Sequence, residues 1–174
     1  MGFNNTKNND IFVKFDAKKM CKKQAWYLKP LAWLLSFPDC IKHKSKVRKH
    51  NMENVKHPYL LLATHHAFLD FKVCTKAIFP HGATYVVAID GFIHRENIMR
   101  NVGCISTRKF ISDVNLVKQA KYSLETLKQT FVIYPEARYS ICGTTAILPE
   151  SLGQLAKVLN VAGVVLNCHG HYLN

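Results

Sequence analysis

The sequence predicts an α/β fold: a mixed, mostly parallel sheet flanked by helices and preceded by an amphipathic helical segment at the N-terminus. Three observations carry that expectation. From residue 58 onward, short apolar runs alternate with longer amphipathic ones. The apolar runs are near-continuous rather than alternating, as strands covered on both faces must be. The chain has 174 residues and 48% hydrophobic content, which suits one compact domain with a sizeable core.

The elements follow in chain order. PYLLLA, residues 58 to 63, reads as the first strand, and DFKVCTKAIF, 70 to 79, as a helix. TYVVAI, 84 to 89, is a second strand, and GFIHRENIMRN, 91 to 101, a short helix before the strand-like VGCIST of 102 to 107. Ser112 suits the N-cap of the next helix, in which Leu116, Ala120, Leu124 and Leu127 recur at helical spacing to form one apolar face. FVIY, 131 to 134, is another strand. Pro149 and Glu150 suit the first turn of a helix through Leu159, because that turn does not use the N–H proline lacks and its positive end favours a carboxylate. GVVLNC, 163 to 168, is the last strand, and no repeat or low-complexity segment interrupts the series.

The first 50 residues are different in character. AWYLKPLAWLLSF, 25 to 37, has two Trp, a Tyr and a central Pro30, with lysines at 18, 19, 22 and 23 before it and IKHKSKVRKH after it. An apolar, aromatic-rich segment between basic clusters suits an anchor on an anionic membrane surface. The same pattern also fits a helix packed on the core with solvated lysines, and both readings stand at this level. No run of 18 apolar residues exists, so no membrane-spanning helix is expected. The opening MGFNNTKNND is polar and lacks a signal-peptide core; Gly2, Asn5 and Thr6 fit an acylation pattern too loosely to count.

Charge and cysteine usage narrow the partners. The 24 Lys and Arg against 11 Asp and Glu give a net charge of +13, which favours anionic lipid, phosphate-bearing substrates, acidic carrier proteins or nucleic acid. The basic run from 42 to 49, with Lys56, lacks a helix-turn-helix, zinc-finger or aromatic RNA-binding signature, so no nucleic-acid partner is expected. Cysteines at 21, 40, 74, 104, 142 and 168 are singly spaced, which fits reduced thiols in a cytosolic protein better than a zinc cluster or disulfide framework. His169 and His171 lack the further ligands that a metal site needs, and neither metal nor cofactor is expected.

The stretch LLATHHAFLD, 61 to 70, is where chemistry is expected, because an apolar run ends there in two histidines followed by an aspartate. A histidine near neutrality can take a proton from a hydroxyl, and a carboxylate on its other ring nitrogen fixes the tautomer and stabilises the imidazolium. His65 and Asp70 would point apart on one ideal helix, but a strand-to-helix turn can bring them together. His66 would point elsewhere. Spacing alone leaves a plainer alternative: Asp70 as a helix cap beside exposed histidines.

Three further segments recur in order at predicted strand ends. VGCISTRKF, 102 to 110, places Gly103 before a strand and Arg108 with Lys109 after it; YPEARYS, 134 to 140, sets Glu136 and Arg138 after FVIY; GVVLNCHG, 163 to 170, is a late apolar block. With the His, four residues, Asp spacing, this ordered set resembles the phospholipid/glycerol acyltransferase family that includes the 1-acylglycerol-3-phosphate acyltransferases. The resemblance covers about residues 55 to 170. It implies the family's glycerol-3-phosphate acyltransferase-like fold, with residues 1 to 50 as a basic segment at the membrane surface and 51 to 174 as the catalytic domain.

The same resemblance implies a transfer of a fatty acyl group from acyl-CoA or acylated carrier protein, as co-substrate, to the hydroxyl of a lysophospholipid-type acceptor. His65 would be the general base and Asp70 its orienting partner. Gly103 would permit close backbone approach, Arg108 or Lys109 would hold the phosphate, Glu136 would take an acceptor hydroxyl or brace the site, and Arg138 would add anion binding. The expected location is cytoplasmic, peripheral to the inner membrane face. The sequence departs from the family pattern in having only Ala137 between Glu136 and Arg138, and Asp90 near where a positive charge is usual. It ends soon after the fourth block and reads as a fragment or a short relative. Two other function classes compete: a thioester or ester hydrolase using the same dyad, and a non-catalytic basic module that binds lipid or nucleic acid.

Overall fold

The computed structural model describes residues 19–42, 44–65, 69–107, 114–136 and 151–168. Helix α1 spans Leu28–Lys42, and strand β1 spans Leu60–Ala63. Then come α2 (Leu69–Ile78), β2 (Ala83–Ala88), a 3-10 turn (Ile89–Phe92), α3 (Glu96–Val102), β3 (Cys104–Thr107), α4 (Val114–Glu125), β4 (Thr130–Ile133), α5 (Ser151–Leu159) and β5 (Gly163–Leu166).

The five strands form one sheet in the order β3-β2-β4-β1-β5. Every described pairing is parallel, so the mixed, mostly parallel sheet of the sequence reading becomes fully parallel over these residues. Parallel neighbours need long crossovers, and a helix follows each of β1 to β4 before the next strand. The expected α/β class, with helices flanking the sheet, is the fold observed.

Strand periodicity assigns the core to two faces. On one face, Leu60, Phe131 and Ile133 pack with Ala120 and Leu124 of α4 and Leu155 and Leu159 of α5. On the other, Leu61, Ala63, Tyr85 and Val132 pack with Cys74 and Ile78 of α2, and Met99 and Val102 of α3 join them. The helix after β1 therefore leaves to one face and the helix after β4 to the other. Because β1 and β4 are neighbours, their carboxyl ends open a crevice between them, the place where open α/β sheets keep ligands.

Two element boundaries moved from the sequence reading for identifiable reasons. VGCIST does not begin the third strand at Val102, because Val102 ends α3 and Gly103 caps it in the left-handed region at φ 96°. A Cβ at Gly103 would lie 2.5 Å from the Ala83 carbonyl oxygen, so only glycine fits. Helix α1 starts after Tyr27 and runs through Pro38 to Lys42. Pro38 interrupts one intrahelical bond, and the packing of Cys40 with Val73 and Cys168 holds the last turn in place.

Glutamine amides strap residues 19 to 24 across the amino ends of the strands. Gln129 Oε1 accepts from the Gln24 backbone N–H at 2.9 Å, and Gln24 Oε1 accepts from the Ala83 N–H at 3.2 Å. Gln129 Nε2 donates to the Ala83 carbonyl at 3.0 Å. Gln119 accepts from the Cys21 N–H at 2.6 Å and donates to the Lys19 carbonyl at 3.0 Å. Buried amides are tolerated here because backbone groups satisfy them.

Helix α1 lies antiparallel against α2. Trp33 stacks obliquely on Phe79 with ring centroids 5.3 Å apart, and Lys72 pairs with Asp39. Its buried residues are Ser36 and Cys40, whereas Leu31, Leu34, Leu35, Phe37 and Ile41 are exposed. No described helix is long and apolar enough to cross a membrane.

Candidate active site

The crevice between β1 and β4 collects the chemistry. Leu62 pairs with Ile133, and His65 and Glu136 each stand three residues beyond that pair, past the ends of β1 and β4. The Thr64 N–H donates to the Leu166 carbonyl at 3.1 Å, and Thr64 Oγ1 accepts from the Cys168 N–H at 2.9 Å, which fixes the end of β1 against β5. His65 is thus presented from a rigid strand end.

Asp70 comes from the first turn of α2, where the helix dipole favours a carboxylate. The strand-to-helix turn folds back as required: His65 Nδ1 lies 3.6 Å from Asp70 Oδ2, with Asp70 wholly buried and His65 22% exposed. A carboxylate facing Nδ1 favours the tautomer protonated there, leaving Nε2 as the basic nitrogen. The separation is longer than a tight charge-assisted hydrogen bond, and such bonds commonly shorten when substrate binds.

Glu136 follows β4 and is 6% exposed, and its Oε1 is buried without a hydrogen-bond partner among the described residues. A buried polar atom costs stability unless a donor engages it.

Sequence reasoning assigned Tyr134 no role, yet its ring stacks on His65 with centroids 4.3 Å apart and planes 29° from parallel. Its place at the end of the apolar run FVIY, two residues before Glu136, was the available signal. The Tyr134 hydroxyl donates to Cys74 Sγ at 3.6 Å. Burial pushes the Cys74 and Cys168 thiols up to about 12, so both stay protonated near neutrality and neither offers a thiolate nucleophile. Burial also raises the Tyr134 phenol well above its ordinary range.

Of the sequence-predicted site residues, His65 and Asp70 face each other here, and Glu136 is buried just past the end of β4. Gly103 lies elsewhere. It sits at the amino end of β3, about 13 Å along the strand from the carboxyl edge, and the close approach it permits is to the Ala83 backbone rather than to a ligand. Arg108, Lys109 and Arg138 lie outside the described residues, as do His66, Ser112, Pro149, Glu150, His169 and His171. Among the described residues, no group of three or more His, Cys, Asp or Glu side chains could hold a metal ion.

No protein-family model matches the sequence, and no curated protein matches it. Among solved structures, the fold is similar to that in the crystal structure of the 1-acyl-sn-glycerophosphate (LPA) acyltransferase, PlsC, from Thermotoga maritima. The two agree with a TM-score of 0.62 at 16% sequence identity, over 84% of this chain and 59% of that one. At that identity the likeness is one of fold, and the chain spans 59% of the length of the protein it resembles.

Proposed function

We propose that the protein is an acyltransferase that moves a fatty acyl group from an acyl thioester, acyl-CoA or acylated carrier protein, to the hydroxyl of a phosphate-bearing acceptor such as 1-acyl-glycerol-3-phosphate. The observation that carries this reading is the His65–Asp70 pair in the β1–β4 crevice, with Nδ1 3.6 Å from a fully buried carboxylate. The fold likeness to an LPA acyltransferase supports it.

In this mechanism His65 Nε2 takes the proton of the acceptor hydroxyl as its oxygen attacks the thioester carbonyl carbon. Asp70 stabilises the imidazolium that forms. The C–O bond forms, the carbonyl electrons collapse back, and the C–S bond breaks. The departing thiolate takes the proton from the imidazolium, so the cycle closes without an acyl-enzyme. Glu136 accepts a hydrogen bond from an acceptor hydroxyl, which answers its orphaned oxygen. Arg108 or Lys109 and Arg138, which follow β3 and β4 in sequence, supply charge-assisted donors to the acceptor's phosphate.

The apolar stripe of α1 serves as the contact with an anionic membrane surface. Leu35 is 65% exposed and Ile41 59%, Trp26 just before the helix is 80% exposed, and exposed Lys22, Lys23, Lys42, Lys44 and Lys46 lie before the helix, at its end and after it. Apolar insertion beside lysines is the combination that anionic lipid rewards. The packing of Cys40 with Cys168 places the last turn of α1 near the same end of the sheet as His65.

The deciding experiment gives purified protein labelled acyl-CoA or acylated carrier protein with lysophosphatidate, glycerol phosphate and non-phosphate alcohols. Acylation of a phosphate-bearing acceptor is expected. Release of free fatty acid without any acylated acceptor would replace the reading by thioester hydrolysis. For the membrane contact, sedimentation with anionic vesicles should exceed that with neutral ones and fall with added salt. A Leu34→Asp/Leu35→Asp variant that still binds as wild type would remove α1 from that role.

A further inference from the structure

We propose that Tyr134 is a positioning residue: its ring face holds the His65 imidazole in plane and steadies the positive charge the imidazole acquires during turnover. This rests on the acyl-transfer reading above.

Two independent contacts converge on the same ring. Asp70 takes one nitrogen edge of His65, and Tyr134 covers a face, with centroids 4.3 Å apart and planes 29° from parallel. Tyr134 is itself tied down, because its hydroxyl donates to Cys74 at 3.6 Å, and Cys74 stands on α2 one turn beyond Asp70. Residues separated by four positions on a helix share a face, so one helical surface holds both the carboxylate and the strut for the tyrosine. The imidazole is clamped between β4 and α2.

The clamp has an electrostatic consequence. An aromatic face carries partial negative charge and attracts a cation, by more where water is excluded. Tyr134 remains a neutral phenol, since burial disfavours its anion, and Cys74 and Cys168 remain neutral thiols. Among the described residues, the groups facing the imidazole include the Asp70 carboxylate from α2 and the neutral Tyr134 ring just past β4. Glu136 follows the end of β4, and the Asp70 charge adds to the upward shift of both thiols. Neutral imidazole gains little from the tyrosine face and imidazolium gains more, so the contact favours the state formed as the acceptor loses its proton.

The test compares wild type, Tyr134→Phe and Tyr134→Leu in the full chain. Proton NMR of the His65 ring reports stacking, because a neighbouring aromatic ring displaces those signals upfield. In wild type and Tyr134→Phe the upfield displacement is expected, and in Tyr134→Leu it should vanish. Turnover in Tyr134→Leu should fall by about 10-fold, with KM changed less than about 2-fold, and Phe should recover most of the loss. A wild-type rate in Tyr134→Leu, or Phe as impaired as Leu, would overturn the proposal. If Tyr134→Leu does not fold, the wild-type spectrum decides: His65 signals at unstacked positions would overturn it. A wild type that acylates no acceptor would defeat the acyl-transfer reading instead, while the ring signals still report the clamp.

Discussion

The two ends of the parallel sheet treat buried polar groups in opposite ways. At the amino end, Gln24, Gln119 and Gln129 spend their amides on backbone N–H and carbonyl groups, and Gly103 leaves room for the Ala83 carbonyl. At the carboxyl end, His65 and Asp70 face each other, and Glu136 Oε1 is buried with no described hydrogen bond. Polar groups at the first end complete the fold, so their removal should read as lost stability. Those at the second, an imidazole and a carboxylate facing each other, are of the types that do acid–base chemistry rather than tie strands together. The difference teaches that burial of a polar residue does not by itself mark function; the identity of its partner does.

Substitutions at the two ends should separate cleanly, and the largest effect belongs to the carboxyl end. His65→Ala should lower turnover by about 100-fold or more, the usual yield of general-base catalysis, with the thermal midpoint nearly unchanged. Acyl transfer at the wild-type rate in that variant would break the comparison, because the crevice would then be structural too. Next comes Gly103→Ala, whose Cβ would meet the Ala83 carbonyl at 2.5 Å with φ at 96°. A stability loss of about 2 to 3 kcal/mol is expected in denaturant melts, with kcat and KM of the folded enzyme preserved. A selective rise in the KM for the acceptor would return Gly103 to the substrate site. Smallest is Gln129→Ala, which leaves the Gln24 N–H and Ala83 carbonyl without this partner. It should cost about 1 to 2 kcal/mol, again with catalysis intact.

Much of the architecture was legible in the residues. Near-continuous apolar runs such as PYLLLA and FVIY signalled strands buried on both faces, and the spacing of Leu116, Ala120 and Leu124 signalled the inward face of α4. The His65–Asp70 pair was legible because the two residues are close in sequence and a single turn can bring them together. Gly103 was misplaced because its need for a positive φ is real, but the group it accommodates lies in another strand. Likewise, the AWYLKPLAWLLSF segment announced a helix without revealing that Ser36 and Cys40 would face inward and the leucines outward.

By itself, the sequence determined the order of strands and helices, the two-sided burial of the sheet and the local dyad, since all three depend on periodicity and short-range spacing. The tertiary structure decided that β4 lies between β2 and β1, and this insertion puts Tyr134 against His65. Strand order carries no periodic signal: any permutation of these strands would show the same hydrophobic runs, and the choice among them is made by long-range packing of side chains distant in the chain.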